Sequence, residues 1–392
     1  MPRGKATLVA LTVLASLALA LPASSSAARS SFPQGFYGVN YSGNVELLSA
    51  GAQGKLWDTL AMGGSESVRV LFNWDLAERV KGQYNWSRID ALVRNAAKRH
   101  MSILAVVEYA PAWAKIYPKN VASPPKDSAF GSYTAFLRAA INRYGSNGTF
   151  WNQLDNLTLP KTPVLDWEIW NEIEIGFHWY RGPNKPPWRA VDAQRYVRLL
   201  KPSYATVHAT DPHARVVLAP LSIDSWKNLK KLYDWTEVEG KFDVAAVQAY
   251  SGTADYIPTI LKNFRNVLNT HGAGSRPLYV TEMTWPAAKG IAHPHYTTGY
   301  MSGFLTNQPT AAKRLTKGYA LLRDPTRRAQ LKLQRVFWYT GVSAYRSKDE
   351  FQYSGLLNYQ NDKVLAYPVY FAYQKSASSA EGCVKNAAGL CK

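Results

Sequence analysis

The chain has 392 residues, 46 of them Lys or Arg against 27 Asp or Glu, which gives a formal charge of +19 at neutral pH. With 46% hydrophobic, 13% aromatic and 19% charged residues and only two cysteines, its makeup is that of a globular chain able to bury a large core. An acidic solvating protein, a disordered tail and a disulfide-stapled miniprotein are excluded.

Arg3 and Lys5 precede an apolar run from Leu8 to Leu21, and Ser26, Ala27 and Ala28 follow as a small-residue cleavage site. The run is 14 residues long. That suits the hydrophobic part of an export signal and falls short of the roughly 18 residues that span a bilayer. Residues 1–28 are read as a signal peptide and the mature protein as secreted, without a membrane span. Cleavage removes two cations and no anions, leaving a charge of +17 (44 − 27).

From Phe36 onward, short β-branched runs alternate with longer amphipathic ones. The predicted strands are Phe36 to Asn40, Ser67 to Phe72, Ser102 to Glu108, Val164 to Trp170, Arg215 to Ala219, Phe242 to Ala249, Leu278 to Glu282 and Arg335 to Tyr339. They are continuous apolar runs, as a parallel sheet covered on both faces requires. Between them, sets such as Ile89, Leu92, Val93 and Ala96 recur at spacings of three and four, which gathers them on one helical face. Eight such units define an α/β chain with a single-domain (β/α)8 TIM barrel over residues 29–376. The connections after the fourth and seventh strands are long and rich in aromatics, Gly and Pro, and both rise at the barrel face that carries active sites. Residues 377–392 form a tail in which Cys383 and Cys391 are expected to pair, given export to an oxidising compartment.

The chemical signal is a pair of glutamates. Asn171 and Glu172 close the fourth strand in LDWEIWNE, and Glu282 closes the seventh in LYVTEMTW. They lie 110 residues apart (282 − 172), or three βα units, so barrel closure sets them across one mouth. Facing carboxylates suit glycoside hydrolysis, where one protonates the departing oxygen and the other attacks the anomeric carbon or activates water. Glu108, at the end of strand three, faces the same mouth as a hydroxyl acceptor or loop anchor. His293 and His295 lack the companions a metal site needs, and His100 follows a helix as a cation at its C-terminal end. No HExxH, GxSxG, Walker loop or GxGxxG occurs, so no cofactor and no metal is implied.

These residues resemble the retaining (β/α)8 glycoside hydrolases of clan A, most closely families 39 and 5, over Gly38 to Gln374. The resemblance implies that Glu172 is the acid/base with Asn171 beside it, and that Glu282 is the nucleophile. It also implies that Arg69 in SVRVLFNW and Tyr250 in AVQAYS hold the nucleophile ionised, and that Trp338 is the floor at the end of strand eight. The implied carboxyl separation is then about 5 to 5.5 Å, which gives retention of the anomeric configuration. Two positions depart from the pattern: Gln248 stands where such strands carry His, and Met283-Thr284-Trp285 replaces x-Gly-Trp. Arg69 has a second reading, a barrel-interior ion pair with Glu168.

Sugars stack on flat apolar rings, and Trp285, Trp113 and Trp179 are the expected subsites because each follows a strand end closely; Trp74, Tyr180 and Trp188 are further candidates, and packing of loop to barrel is the competing reading. The partner is a polysaccharide or oligosaccharide, the basic charge admitting an anionic one as the minority reading, and the protein is expected to be a monomer. No nucleic-acid motif accompanies the charge. A transglycosylase, or a non-catalytic glycan-binding barrel, would use the same scaffold. Sequons occur at Asn40, Asn85, Asn147 and Asn156.

Overall fold

The computed structural model describes residues 1–2, 32–41, 45, 48–291, 298–343 and 349–392. The expected leader run and its cleavage site, and the pair His293 and His295, lie outside the described residues. Among those described, no helix is long and apolar enough to cross a membrane.

Eight parallel strands form the centre: β1 (Tyr37–Tyr41), β2 (Ser67–Asn73), β3 (Ser102–Glu108), β4 (Asp166–Ile169), β5 (Arg215–Leu218), β6 (Ala245–Gln248), β7 (Leu278–Met283) and β8 (Leu333–Trp338). Their order runs β5-β4-β3-β2-β1-β8-β7-β6. Parallel bridges from Val217 to Val244 and from Leu221 to Val247 join β5 to β6 and close the ring. The surrounding helices are α1 (Ala50–Met62), α3 (Ser87–Ala97), α4 (Phe130–Tyr144), α5 (Ala190–Thr210), α6 (Ser225–Trp235), α7 (Ile257–Thr270), α8 (Gln308–Arg323) and α10 (Pro368–Glu381), with short α2 (Trp74–Ala77) and α9 (Pro325–Leu331). The predicted (β/α)8 barrel is thus the observed one.

Inside the ring, Leu104, Val217, Val244, Ala246, Tyr279 and Phe337 form an apolar cluster separate from the core between strands and helices. Phe337 fills the space in front of Gly38, where a Cβ would lie 2.4 Å from its ring, so only glycine fits. Beneath the cluster, Asp166 takes Arg215 at 2.8 Å and Arg335 at 2.9 Å. Above it sits a second charged group, at the C-terminal ends of the strands. The apolar layer keeps the two polar clusters apart.

Helix α10 continues to Glu381, five residues past the predicted end of the barrel, and locks the ring from outside. Tyr373 donates to the Gly38 carbonyl at 3.2 Å and packs edge-on against Tyr319 at 5.6 Å. Cys383 and Cys391 are bonded, and the looped tail is tied to the start of β2 by Lys385 and Glu66 at 3.0 Å. Two sequons are buried: Asn40 and Asn156 are 2% and 1% exposed and cannot present a glycan, whereas Asn85 and Asn147 lie on the surface. Besides the two long loops expected, a third follows β3 from Tyr109 to Lys126, and β8 leads to a hairpin of β9 (Leu357–Gln360) and β10 (Lys363–Ala366).

Candidate active site

Arg69 organises the mouth. Alternation along β2 points it inward, and it is 6% exposed. Its Nε and Nη2 donate to Glu168 at 3.0 and 2.6 Å, Nη1 to Glu282 at 2.7 Å and Asn40 at 2.9 Å, and Nη2 also to Asn171 at 2.8 Å. Five N–H groups meet five acceptors, the full capacity of a guanidinium. The two readings of Arg69 are therefore not exclusive, since it pairs with Glu168 and touches Glu282. Burial works against its charge, and Glu168 and Glu282 outweigh that effect, so its pKa is raised.

Glu282 lies on β7 with its backbone carbonyl held by the Ala249 amide at 2.8 Å. The Tyr250 hydroxyl donates to the Oε2 that Arg69 leaves open, in a very short contact. Burial pushes the Glu282 carboxyl up to about 7; Arg69 and Tyr250 oppose that, and the charge of Glu172 adds to it. The charge of Glu172 thus disfavours a second negative charge on Glu282.

Glu172 comes from a tight reversal after β4. Trp170 and Glu172 have φ of 69° and 38°, a conformation costing a non-glycine residue of order 1 kcal/mol or more and typical of functional sites. Two bonds hold the reversal: Trp170 donates its amide to Val107 at 3.2 Å and Glu172 its amide to Pro220 at 3.1 Å. The Glu172 Oε2 lies 3.2 Å from His178 Nε2, and the other ring nitrogen is 2.9 Å from Glu108. Asn171, between the two glutamates, accepts from Arg69 and from Gln248 at 3.1 Å. Gln248 Oε1 is buried without a partner among the described residues.

The structure thus brings Glu172, Glu282, Asn171, Arg69, Tyr250, Gln248 and Glu108 to one mouth. It treats the tryptophans differently. Trp179 and Trp285 are each 1% exposed and Trp338 is fully buried. Trp179 packs edge-on against Trp170 at 5.3 Å, and Trp285 meets Gly318 of α8 and donates to Ser251 at 2.6 Å. Neither offers a free ring face for sugar stacking, because each fills the seam between a loop and the barrel. Trp113 is half-buried, bonded to the Glu78 carbonyl at 3.1 Å, with Lys81 over its ring at 5.9 Å. The exposed rings nearby are Phe177, at 80%, and Tyr117, at 36%.

Residues missed by sequence reasoning are Asn40 and His178. Asn40 carried the same signal as Glu108, a polar side chain ending a strand. His178 carried none, because its position depends on the path of the loop.

Glu174 accepts the Ser222 amide at 2.6 Å, while its Oε2 is buried with no partner among the described residues. Burial, then the charge of Glu172, pushes its carboxyl up to about 8 from an ordinary 4.5. Its stabilising contribution is therefore full below pH 4.5 and lost as pH rises through about 8. Glu174→Gln, which cannot ionise, is expected to gain thermal stability relative to the natural chain across that window; a constant difference would mean that the carboxyl is charged and solvated in the fold.

No family model matches the chain, and no curated protein does. Solved structures are similar to it. A family 39 glycoside hydrolase from the gut symbiont Bacteroides cellulosilyticus shares 19% identity with a TM-score of 0.61, over 88% of this chain and 64% of that one. A GH5_18 protein from Streptomyces cattleya, in complex with GlcNAc, shares 17% identity with a TM-score of 0.60, over 89% and 81%. The GH53 catalytic domain of Ignisphaera aggregans shares 20% identity with a TM-score of 0.55, over 87% and 95%. This chain spans less than two thirds of the length of the family 39 structure. The barrel fold is common to all of them, and families 39 and 5, to which the motifs point, are both represented.

Proposed function

We propose that this protein is a secreted retaining glycoside hydrolase acting on a polysaccharide or oligosaccharide, with residues 1–28 removed on export. The observation that carries the reading is the Arg69 network, in which one guanidinium touches Glu282 directly and Glu172 through its neighbour Asn171. Glu282, held by a cation and a hydroxyl donor, is the carboxylate suited to attack. Glu172, more exposed at 13% against 7% for the Glu282 side chain, is the one placed to hand a proton to the leaving group. In the first step that proton passes to the glycosidic oxygen as its bond to the anomeric carbon breaks and the Glu282 carboxylate bonds to that carbon. In the second step Glu172 takes a proton from water, whose oxygen displaces Glu282, and both side chains return to their starting states. Glu172→Ala is expected to lower kcat/KM on an unactivated oligosaccharide by about 10²- to 10⁴-fold, and far less on an aryl glycoside whose leaving group needs no proton. Equal losses on both would remove Glu172 from the acid role.

Charge supports an anionic glycan as substrate. The loops after β3 and β4, residues 109–126 and 173–189, hold six Lys or Arg and one carboxylate, Glu174. They form one rim, joined by the Tyr180 amide to the Ala122 carbonyl at 2.9 Å and by the rings of Tyr117 and Tyr180 at 5.1 Å. Lys119, Lys126, Lys185 and Arg189 are exposed on it. KM for a carboxylated or sulfated polysaccharide is then expected to rise about tenfold between low salt and about 0.5 M salt, as exposed charges are screened. A salt-independent KM would direct the reading to a neutral glucan, xylan or mannan.

A further inference from the structure

His178 lies in the loop after β4, and its backbone is fixed from both sides. Its amide donates to the Ile175 carbonyl at 3.0 Å, and its own carbonyl accepts from the buried Trp170 indole at 2.8 Å. The next residue, Trp179, is wedged between Trp170 at 5.3 Å and Tyr196 at 6.1 Å. The imidazole is therefore carried on a rigid mount although it belongs to a loop.

Its two nitrogens face two carboxylates: Nδ1 is 2.9 Å from Glu108 Oε1 and Nε2 is 3.2 Å from Glu172 Oε2. The Asn171 amide nitrogen is 3.3 Å from one ring nitrogen and 3.4 Å from the other. Near-equal distances of that size place it over the ring face, and each ring nitrogen has a carboxylate as its nearer partner. The Tyr109 ring lies 6.5 Å away. The charged groups around the imidazole are thus Glu108 from β3 and Glu172 after β4, with Glu174, Glu282 and Arg69 further off. An imidazolium, which donates from both nitrogens, is the form that satisfies both contacts.

We propose that His178 is the positioning residue of the acid/base: by donating Nε2–H to Glu172 Oε2 it makes that oxygen a permanent acceptor and leaves Oε1 as the carrier of the catalytic proton. The inference rests on the glycosidase reading above. A carboxylic acid has two equivalent oxygens until something distinguishes them. Here a fixed donor does so, and Glu108, bonded to the other nitrogen, keeps the ring oriented and charged. The proton leaves from Oε1 to the glycosidic oxygen and returns to Oε1 from water, while the bond to Oε2 persists through both steps.

The test compares the full chain with His178→Ala, His178→Gln and His178→Asn over a pH series, on an unactivated oligosaccharide and on an activated aryl glycoside. His178→Ala is expected to lose about 10²-fold in kcat/KM on the first and under about 3-fold on the second, the pattern of a weakened general acid. Loss of a cation beside the general acid is expected to move the alkaline limb of the kcat/KM profile to higher pH. His178→Gln, whose amide can occupy the Nε2 position, should recover more than His178→Asn. Glu108→Gln, which withdraws the anion supporting the imidazolium, should move the same limb in the same direction. Equal losses on both substrates with an unshifted limb would mark His178 as merely structural and overturn the proposal. Nitrogen-15 NMR of the natural chain at pH 7 reads the ring without catalysis. Two protonated ring nitrogens are expected, and a single neutral tautomer would overturn the proposal even if no glycoside were cleaved, which would itself be the separate failure of the glycosidase reading.

Discussion

Glu282→Gln is expected to abolish turnover, by more than about 10³-fold in kcat, while leaving the barrel folded. The amide has nearly the shape of the carboxylate, and Arg69 keeps its two bonds to Glu168, so the ring loses one acceptor and no layer of packing. The amide cannot form the bond to the anomeric carbon, however, and among the described residues Glu168 and Glu108 are engaged elsewhere, Glu168 with Arg69 on both oxygens and Glu108 with His178. The companion measurement is the anomeric configuration of the first product by proton NMR on the natural protein. Retention is expected, because a covalent intermediate on Glu282 inverts the centre twice. An active Glu282→Gln protein or an inverted first product would remove Glu282 from the nucleophilic role, whereas retention with inactive Glu282→Gln would leave only the substrate to be found.

The strand-terminal members of this site were legible in the sequence because a parallel barrel converts chain order into position. A polar residue that ends a continuous apolar run must emerge at the same rim as every other such residue. Glu172, Glu282, Gln248 and Glu108 obey that rule, and Asn40 obeys it too, near the end of β1; Arg69, third in β2, points inward by alternation instead. Boundaries were less legible where a run continues past its hydrogen-bonded part. The expected sixth strand starts at Phe242, yet Val244 makes only an isolated bridge to β5 and the ladder with β7 begins at Ala245. Val164 likewise gives its amide to the Tyr144 carbonyl at 3.0 Å rather than to a strand.

The aromatics were not legible in the same way. A Trp near a strand end is equally suited to stacking on a sugar and to sealing a loop against a helix, and composition does not separate the two uses. Trp179 and Trp285 seal; the exposed Phe177 beside His178 does not. His178 reaches Glu172 only because Trp170 and Trp179 anchor the loop on either side of it, and that path is a product of tertiary packing rather than of local pattern. The long connection after the fourth strand contains the residue, but nothing in its spacing points inward.

Arg69→Met is the substitution expected to harm both stability and activity most. The guanidinium uses all five of its N–H groups on four side chains and is nearly inaccessible to water, so its removal leaves Glu168 and Glu282 buried without a cation. Breaking a buried pair from one side typically costs about 3–5 kcal/mol. The carboxyls will respond by holding protons. Burial already raises Glu168 and Glu282, and Arg69 is the largest influence opposing it in both. Without Arg69 both pKa values rise further, so the variant is relatively stable near pH 4 and loses ground as pH rises through neutrality, where each carboxyl must either ionise in the interior or stay neutral. A neutral Glu282 cannot attack, so kcat should be lowest at low pH and recover only as pH rises through the raised pKa, opposite to the stability trend. Arg69→Lys will not rescue the site, since three donors on a flexible stem cannot reproduce the two-pronged bond to Glu168 and still reach Glu282 and both asparagines. Adding Glu168→Gln to Arg69→Met removes one of the two orphaned charges and should return part of the stability while restoring no activity. Urea unfolding of the single and double variants at about pH 5 and about pH 8 decides the matter: a stability loss for Arg69→Met that is small at both values, or one that Glu168→Gln leaves untouched, would mean that Arg69 does not hold these carboxylates in the barrel.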